Sequence, residues 1–206
     1  MKIAILGGSF DPPHLGHLFI AIQVRELLHM DQVWLMPLYR KSSQAEIFHK
    51  TLTDVSHRLA MTRLLENDSL KASDFEIQQN HKSFTIDTLD LLAKEHPEDS
   101  FYWIFGSDQL ENFQQYYKWQ EIAVRHRLII FPREWILPQF EEKVKLALRL
   151  QSIPENVRVL HEKGLLLTNI SSTKIRERIR KSLPVKNFVP VGIEEYINKY
   201  SLYAEH

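Results

Sequence analysis

The sequence predicts one three-layer, doubly wound α/β domain with a mostly parallel sheet and a C-terminal helical part. Short apolar runs without polar alternation predict strands that are buried on both faces, as in parallel sheets. Such runs lie at residues 3–6, 32–36, 101–105 and 128–131. Segments whose apolar residues recur at helical spacing follow these runs, and this alternation favours repeated strand–helix–strand units.

The composition limits the class of protein. The 206 residues suit a single domain spanning 1–206, with the helical part at about 170–206, and are enough to bury a full core. Lys plus Arg and Asp plus Glu both number 26, so neither nucleic acid nor an anionic membrane is expected as a partner. The absence of cysteine excludes disulfides, thiolate metal sites and a cysteine nucleophile. No signal peptide or membrane-spanning run is recognisable, so a soluble cytoplasmic protein is expected.

The turn between the first strand and the first helix is the candidate ligand site. Residues 7–17 read Gly-Gly-Ser-Phe-Asp-Pro-Pro-His-Leu-Gly-His. The helix behind them is predicted from the spacing of Ile20, Val24, Leu27 and Leu28. Phosphates bind at such turns because free backbone N–H groups, the positive end of the helix dipole and glycines meet there. The turn is neither a Walker loop nor a dinucleotide-binding glycine motif.

His14 and His17 lie three residues apart across the start of this helix, so both side chains can face the same ligand. Imidazolium groups at that place would neutralise charge on a transferring phosphoryl group without a covalent intermediate. The alternative is that one histidine caps the helix and the other is merely exposed. Pro12 and Pro13 favour the first interpretation because they stiffen the approach to the pair.

The middle of the chain continues the α/β pattern. Residues 54–65 predict an amphipathic helix packed on the sheet. Its predicted apolar stripe consists of Val55, Leu59, Thr62 and Leu65. Residues 75–78 predict a short strand, and the helix after it is expected to be capped by Ser83 or Thr85.

Gly106 and Asp108 come directly after the strand predicted at 101–105. A glycine and a short acid at this edge of a sheet suit a close nucleotide approach, with the carboxylate accepting hydrogen bonds from ribose hydroxyls. The alternative is that Asp108 is a helix N-cap.

The C-terminal third predicts further strands, helices and a second anion site. Residues 140–150 predict an amphipathic helix, 157–160 and 165–167 short strands, and 188–203 a loop and closing helix. The helix opening at 171–173 has hydroxyls at its start and Lys174, Arg176 and Arg178 in its first turns. These groups form an anion site, with capping hydroxyls and a solvated basic face as the alternative.

Two of these segments carry a family resemblance. Residues 7–17 match the (H/T)xGH signature of the nucleotidylyltransferase superfamily, and they resemble most the bacterial nicotinate mononucleotide adenylyltransferases. A second signature, Ile-Ser-Ser-Thr-Lys-Ile-Arg, stands at residues 170–176, and the resemblance covers nearly the whole chain. It implies a Rossmann-like fold and in-line adenylyl transfer from ATP to nicotinate mononucleotide. The products would be pyrophosphate and nicotinate adenine dinucleotide, a step of NAD biosynthesis.

The resemblance also implies residue roles and partners. The catalytic residues would be His14, His17, Lys50 and Arg176. The ATP-binding residues would be Gly7, Gly8, Ser9, Phe10, His17, Gly106, Asp108, Ile170, Ser171, Ser172, Thr173 and Arg176. The acceptor-binding residues would be Ser9, Phe10, Lys50, Ser83, Thr85, Tyr116 and Arg133. The partners would be ATP, a pyridine mononucleotide and Mg²⁺ arriving with ATP, with no metal site built by the protein and a homo-oligomer left open.

The chain departs from the family in two places. It lacks the Pro-Pro-His-Lys loop that helps to hold substrate phosphates, so Lys50 is the candidate lysine, with a solvated loop charge as the alternative. Tyr116 stands where a tryptophan commonly stacks on the pyridine ring, although a tyrosine can still stack. Two alternative functions are therefore kept. One is adenylyl transfer to another acceptor such as nicotinamide mononucleotide, and the other is a nucleotide-binding sensor without turnover. The presence of His14, His17 and Arg176 argues against the sensor.

Overall fold

The computed structural model describes residues 1–39, 52–79, 84–133 and 139–204. Its strands are β1 Lys2–Gly8, β2 Gln32–Pro37, β3 Leu70–Ala72, β4 Ser100–Gly106, β5 Arg127–Phe131 and β6 Val157–Val159. Its helices are α1 Leu15–Leu28, α2 Val55–Arg63, α3 Phe75–Gln78, α4 Thr85–Glu95, α5 Ser107–Leu110, α6 Trp119–Arg125, α7 Phe140–Leu148, α8 Ser172–Arg180 and α9 Val191–Lys199, with a 3₁₀ turn at Phe113–Gln115. None of these helices is long and apolar enough to cross a membrane.

The strands form one sheet in the order β3-β2-β1-β4-β5-β6, and every pairing between them is parallel. Strands β1 to β3 therefore follow one another toward one edge of the sheet, and strands β4 to β6 follow one another from β1 toward the other edge. The carboxyl ends of β1 and β4 lie at this switch in direction, which is where doubly wound folds bind ligands. The predicted fold class is confirmed.

Both faces of the sheet are buried, and this produces the three layers. Along β1, Ile3 and Ile5 face one core, whereas Ala4 and Leu6 face the other. Helices α4, α6 and α7 cover the first face, and α1, α2, α8 and α9 cover the second. A strand between two helical layers has no solvent-facing side, which explains why the predicted strands are continuous apolar runs.

Two predicted strands are wrong. Residues 75–78 form α3, and the strand beside β2 is instead β3, whose three residues are too few to show a period in the sequence. Residues 165–167 form no strand, and both backbone polar groups of Leu166 bond the Gln23 side chain and not a neighbouring strand. Gln23 Oε1 accepts from the Leu166 N–H at 2.6 Å, and Gln23 Nε2 donates to the Leu166 carbonyl at 3.1 Å.

The buried stripes of two helices differ in part from the prediction. In α1, Ile20 and Val24 are buried as expected, but Leu27 is 41% exposed. In α2 the predicted positions Val55 and Leu59 are only half-buried. The fully buried residues of α2 are Arg58, Met61 and Thr62. A charged residue therefore occupies the centre of the face that packs on the sheet.

Candidate active site

The two signature segments meet at the carboxyl edge of the sheet. Ser172 Oγ donates to the Pro12 carbonyl oxygen at 2.9 Å, and Arg176 Nη1 donates to the Asp11 carbonyl oxygen at 2.5 Å. The N-termini of α1 and α8 therefore lie beside each other, next to the switch between β1 and β4. Free backbone N–H groups and the positive ends of two helix dipoles favour an anion at this place.

His14 and His17 form a stacked pair at the start of α1. Their ring centroids are 3.8 Å apart and the ring planes are inclined by 29°. The His14 backbone N–H donates to His17 Nδ1 at 3.1 Å, so His17 caps the helix through its ring. Because Nδ1 accepts, the proton of the neutral His17 ring is on Nε2, and that atom can donate to a ligand. The Phe10 ring, buried in the core, packs against the other side at 4.7 Å from the His17 ring.

The surroundings of both histidines favour the neutral ring. Burial and the nearby Arg133 charge lower the pKa of His14 to about 3. Burial, His14 and Arg133 together lower the pKa of His17 well below its ordinary value. These shifts disfavour the imidazolium groups expected from the sequence near neutral pH, chiefly because burial removes water from the charged form.

Gly16 makes room for this pair. A Cβ atom on Gly16 would lie 2.9 Å from His14 Nδ1 and 3.3 Å from the Thr168 methyl group. A ring cannot move aside as the end of a flexible side chain can, and the His14 ring is also held by His17. The position of the His14 ring therefore requires a glycine at residue 16.

The two glycines at the end of β1 differ in what the fold requires of them. A Cβ atom on Gly7 would lie 2.4 Å from Trp103 Cζ2, so the glycine is needed for packing whether or not a ligand binds. A Cβ atom on Gly8 would lie 3.4 Å from the Phe10 ring, which is close to ordinary van der Waals contact. Their predicted contacts with ATP stay predictions.

The start of α8 carries the second signature. Ser171 is its N-cap and accepts from the Lys174 N–H at 3.3 Å, while Lys174 Nζ donates to the Asn169 carbonyl at 3.3 Å. Arg176 Nη2 donates to Thr173 Oγ1 at 3.4 Å. Ser171 thus does cap the helix, but Arg176 points toward the first signature and not into solvent.

Gly106, Asp108 and Arg133 line the side of the site that follows β4 and β5. Gly106 is the N-cap of α5 and Asp108 lies in its first turn, so the alternative in which Asp108 is the N-cap is wrong. Asp108 is exposed. The Arg133 N–H donates to Ser107 Oγ at 2.9 Å, and Arg133 Nη2 donates to the Ile170 carbonyl at 3.2 Å. Arg133 is therefore attached to the second signature.

The residues predicted to bind the acceptor lie on two neighbouring elements. The N-cap of α4 is Phe84, and Thr85 is the first residue of the helix, so Thr85 does not cap it. The Phe84 ring packs on Tyr117 with 4.6 Å between centroids. This contact brings Thr85, in the first turn of α4, close to the turn that carries Tyr116.

Tyr116 belongs to an aromatic cluster behind this turn. Its ring stacks on Phe113 with 5.8 Å between centroids and meets Phe105 edge-on at 5.5 Å. Burial and Asp108 raise the pKa of Tyr116 to about 12, so its hydroxyl stays protonated. Ser83 and Lys50 lie outside the described residues.

Arg58 is a residue of the site that the sequence analysis missed. It is 1% exposed, and its guanidinium donates to four backbone carbonyl oxygens at 2.7 to 3.4 Å, those of Ser9, Leu38, Tyr39 and Thr53. The turn after β1, the end of β2 and the start of α2 are thereby held together. The available signal was helical spacing, since Arg58 is four residues before Thr62 on the buried face.

The described residues offer cations and N–H donors for an anionic ligand. Among them, no group of three or more histidine and acidic side chains is placed to hold a metal ion. Arg133, Arg176, the His17 Nε2–H and two helix N-termini converge on the same region. The arrangement suits the binding and charge stabilisation of phosphate groups.

Comparison with known proteins agrees with this chemistry. Residues 5–178 match the model of the cytidylyltransferase-like family, and this region includes both signatures. The chain belongs to the cytidylyltransferase-like family. This cytidylyltransferase-like protein is similar to a probable nicotinate-nucleotide adenylyltransferase of Shewanella frigidimarina, with 33% identity over 98% of this chain and 100% of the relative. A protein of the same name from Exiguobacterium sibiricum is 30% identical over 99% of this chain and 100% of the relative.

Solved structures share the fold of this cytidylyltransferase-like protein. The Plasmodium falciparum nicotinic acid mononucleotide adenylyltransferase complexed with NaAD matches with a TM-score of 0.78 and 22% identity, over 98% of this chain and 97% of that chain. The same enzyme complexed with APC matches with a TM-score of 0.75 and 22% identity, over 98% of this chain and 96% of that chain. The family resemblance inferred from the two signatures is confirmed.

Arg58→Lys is expected to lower the free energy of unfolding by about 2–4 kcal/mol. A lysine ammonium cannot reach four carbonyls in the geometry of a guanidinium, so buried oxygens are left without donors. Urea unfolding measures the change. The control is Arg63→Lys in the same helix, whose 54% exposed guanidinium pairs with Asp74, and it should change stability by less than about 0.5 kcal/mol. Equal changes in the two variants would contradict the role of Arg58.

Proposed function

We propose that this protein transfers the adenylyl group of ATP to nicotinate mononucleotide and releases pyrophosphate. The observation that carries the proposal is the contact between the two signatures, which places His14, His17 and Arg176 around the N-termini of α1 and α8. Relatives matched over almost their full length are named probable nicotinate-nucleotide adenylyltransferase, which supports the same reaction. The complex of a structural neighbour with NaAD supports a dinucleotide product.

In the proposed reaction, an ionised phosphate oxygen of the mononucleotide attacks the α-phosphorus of ATP. The bond between that phosphorus and the bridging oxygen of the leaving group breaks, and its electron pair leaves with pyrophosphate. No proton has to be removed from the attacking phosphate, so no general base is required. The protein has to hold the two phosphates in line and stabilise the negative charge that develops on them.

The side chains at the helix starts fit these two tasks. His17 is assigned to the transferring phosphoryl group, because its Nε2 carries the proton while Nδ1 is held by the His14 backbone N–H. Arg176 supplies a fixed positive charge for the triphosphate of ATP. A nearby triphosphate favours the charged form of each imidazole, so ATP binding should raise the pKa of the His14–His17 pair.

Arg133 is assigned here to ATP and not to the acceptor. Its guanidinium donates to the Ile170 carbonyl of the second signature, and its charge acts on both histidines. Asp108, exposed beside it, is assigned to the ribose hydroxyls of ATP. Magnesium is proposed to enter bound to the ATP phosphates and to keep several of its waters.

The acceptor is assigned to the region between the start of α4 and the turn at residues 113–117. Thr85 lies in the first turn of α4, where the helix dipole and free N–H groups favour a carboxylate over a neutral amide. Tyr116 is proposed to stack on the pyridine ring, an interaction that does not distinguish acid from amide. This arrangement predicts a preference for nicotinate mononucleotide over nicotinamide mononucleotide.

The proposed function is tested by measuring kcat/KM for both mononucleotides with ATP and Mg²⁺, following pyrophosphate and the dinucleotide. Nicotinate mononucleotide should be preferred at least tenfold, since about 1.4 kcal/mol of charge-assisted interaction corresponds to that factor. Tyr116→Ala should lower both values by a similar factor. A wild type that prefers the amide would overturn the acceptor, and one that uses neither mononucleotide would overturn the proposed reaction.

His17→Asn is expected to lower kcat by about 10²-fold or more while changing the affinity for ATP much less. The asparagine oxygen can still accept the cap hydrogen bond from His14, but the imidazole that stabilises transition-state charge is lost. Steady-state kinetics with ATP and the mononucleotide measure both quantities. The control is His29→Asn, an exposed histidine just after α1, which should leave kcat unchanged. Activity of His17→Asn within about threefold of the control would exclude the catalytic role of His17.

A further inference from the structure

Tyr203, in the turn after α9, reaches the first signature through Asp11. Tyr203 Oη donates to Asp11 Oδ1 at 2.8 Å, and the Thr53 N–H donates to Asp11 Oδ2 at 3.3 Å. Asp11 is 1% exposed, so water cannot replace these donors. Each oxygen of the carboxylate is therefore held by a different segment of the chain.

Arg176 lies beside this carboxylate without a hydrogen bond to it. Arg176 Nη1 donates to the backbone carbonyl of Asp11 at 2.5 Å, whereas its distance to Asp11 Oδ2 is 4.0 Å. The two side chains thus form an ion pair at its longest range, and a small rotation of the carboxylate would shorten it to a direct hydrogen-bonded pair. Such pairs are among the strongest charge-assisted contacts in proteins, and this one would compete with a phosphate for the same guanidinium.

We propose that Tyr203 is a positioning residue whose hydroxyl keeps the Asp11 carboxylate from closing to a direct hydrogen bond with Arg176, so that the guanidinium stays available to the triphosphate of ATP. The inference rests on the proposed function, in which Arg176 binds ATP. In this proposal the turn after α9 belongs to the ATP site, and Tyr203 acts through Asp11 and Arg176 and not by direct contact with ATP.

The environment of Tyr203 suits this task. Burial and the Asp11 charge raise the pKa of Tyr203 above its usual range, so the hydroxyl remains a donor at any physiological pH. Its ring packs with the core on the face of the sheet covered by α1 and α8. The direction of the hydroxyl is therefore set by packing as well as by the hydrogen bond to Asp11.

Tyr203→Phe tests the proposal, because it keeps the ring and removes the donor. The Asp11 carboxylate should then turn toward Arg176, and the Kd and KM for Mg-ATP should rise by about tenfold, the factor for one charge-assisted contact. The KM for the mononucleotide and kcat should stay within about twofold of wild type. The control is Tyr196→Phe in α9, which removes a tyrosine hydroxyl that hydrogen-bonds His57 Nδ1 at 3.0 Å and not Asp11. This control should leave the Kd for Mg-ATP unchanged.

A double-mutant cycle with Asp11→Asn separates positioning from simple loss of structure. In the Asp11→Asn background no carboxylate charge competes for Arg176, so adding Tyr203→Phe should change the Kd for Mg-ATP by less than about twofold. The amide oxygen of Asp11→Asn can still accept from Tyr203, so a merely structural hydrogen bond would still weaken Mg-ATP binding when it is removed in this background. Equal factors, or a Tyr203→Phe variant that matches Tyr196→Phe, would overturn the inference alone. A wild type that binds no Mg-ATP in calorimetry would overturn the proposed function and this inference with it.

Discussion

The buried guanidinium of Arg58 is the interaction on which the geometry of the candidate site depends. A buried charged group is stable only when its hydrogen-bond donors have acceptors. The Arg58 guanidinium donates to backbone carbonyls of three segments of the chain. It therefore fixes main chain and not merely side chains. The turn after β1, which carries Asp11 and His14 and leads into α1 with His17, is held in place against the end of β2 and the start of α2.

The other basic side chains of the site make fewer hydrogen bonds within the protein than Arg58 does. Arg176 and Arg133 each bond a backbone carbonyl, and the histidines are stacked and neutral. The pKa of both histidines is lower in the folded protein than in the unfolded chain. Their contribution to stability is therefore fully present above about pH 6.5 and is lost as the pH falls toward the folded-state value. A bound triphosphate would offset the cost of protonating them, so ligand and proton binding are coupled.

The local features of the fold could be predicted from the sequence, and the long-range ones could not. Apolar runs and helical spacing predicted the layers, and two short signatures located both helix starts of the site. The role of Arg58 was missed because α2 was assigned a buried stripe through Val55 and Leu59. The contact between Tyr203 and Asp11 joins distant parts of the chain, and no local pattern reports it. The neutrality of His14 and His17 depends on burial, which the sequence does not quantify.

In the proposed function, the stacked His14 and His17 rings are neutral before ATP binds, and the bound triphosphate makes their charged form favourable. NMR titration of the His14 and His17 ring signals, with and without a non-hydrolysable Mg-ATP analogue, tests it most directly. In the free protein, neither ring should titrate near the ordinary histidine pKa, and the analogue should raise the pKa of at least one of them. Titration of both rings near their ordinary pKa in the free protein, or no change on binding, would contradict the claim.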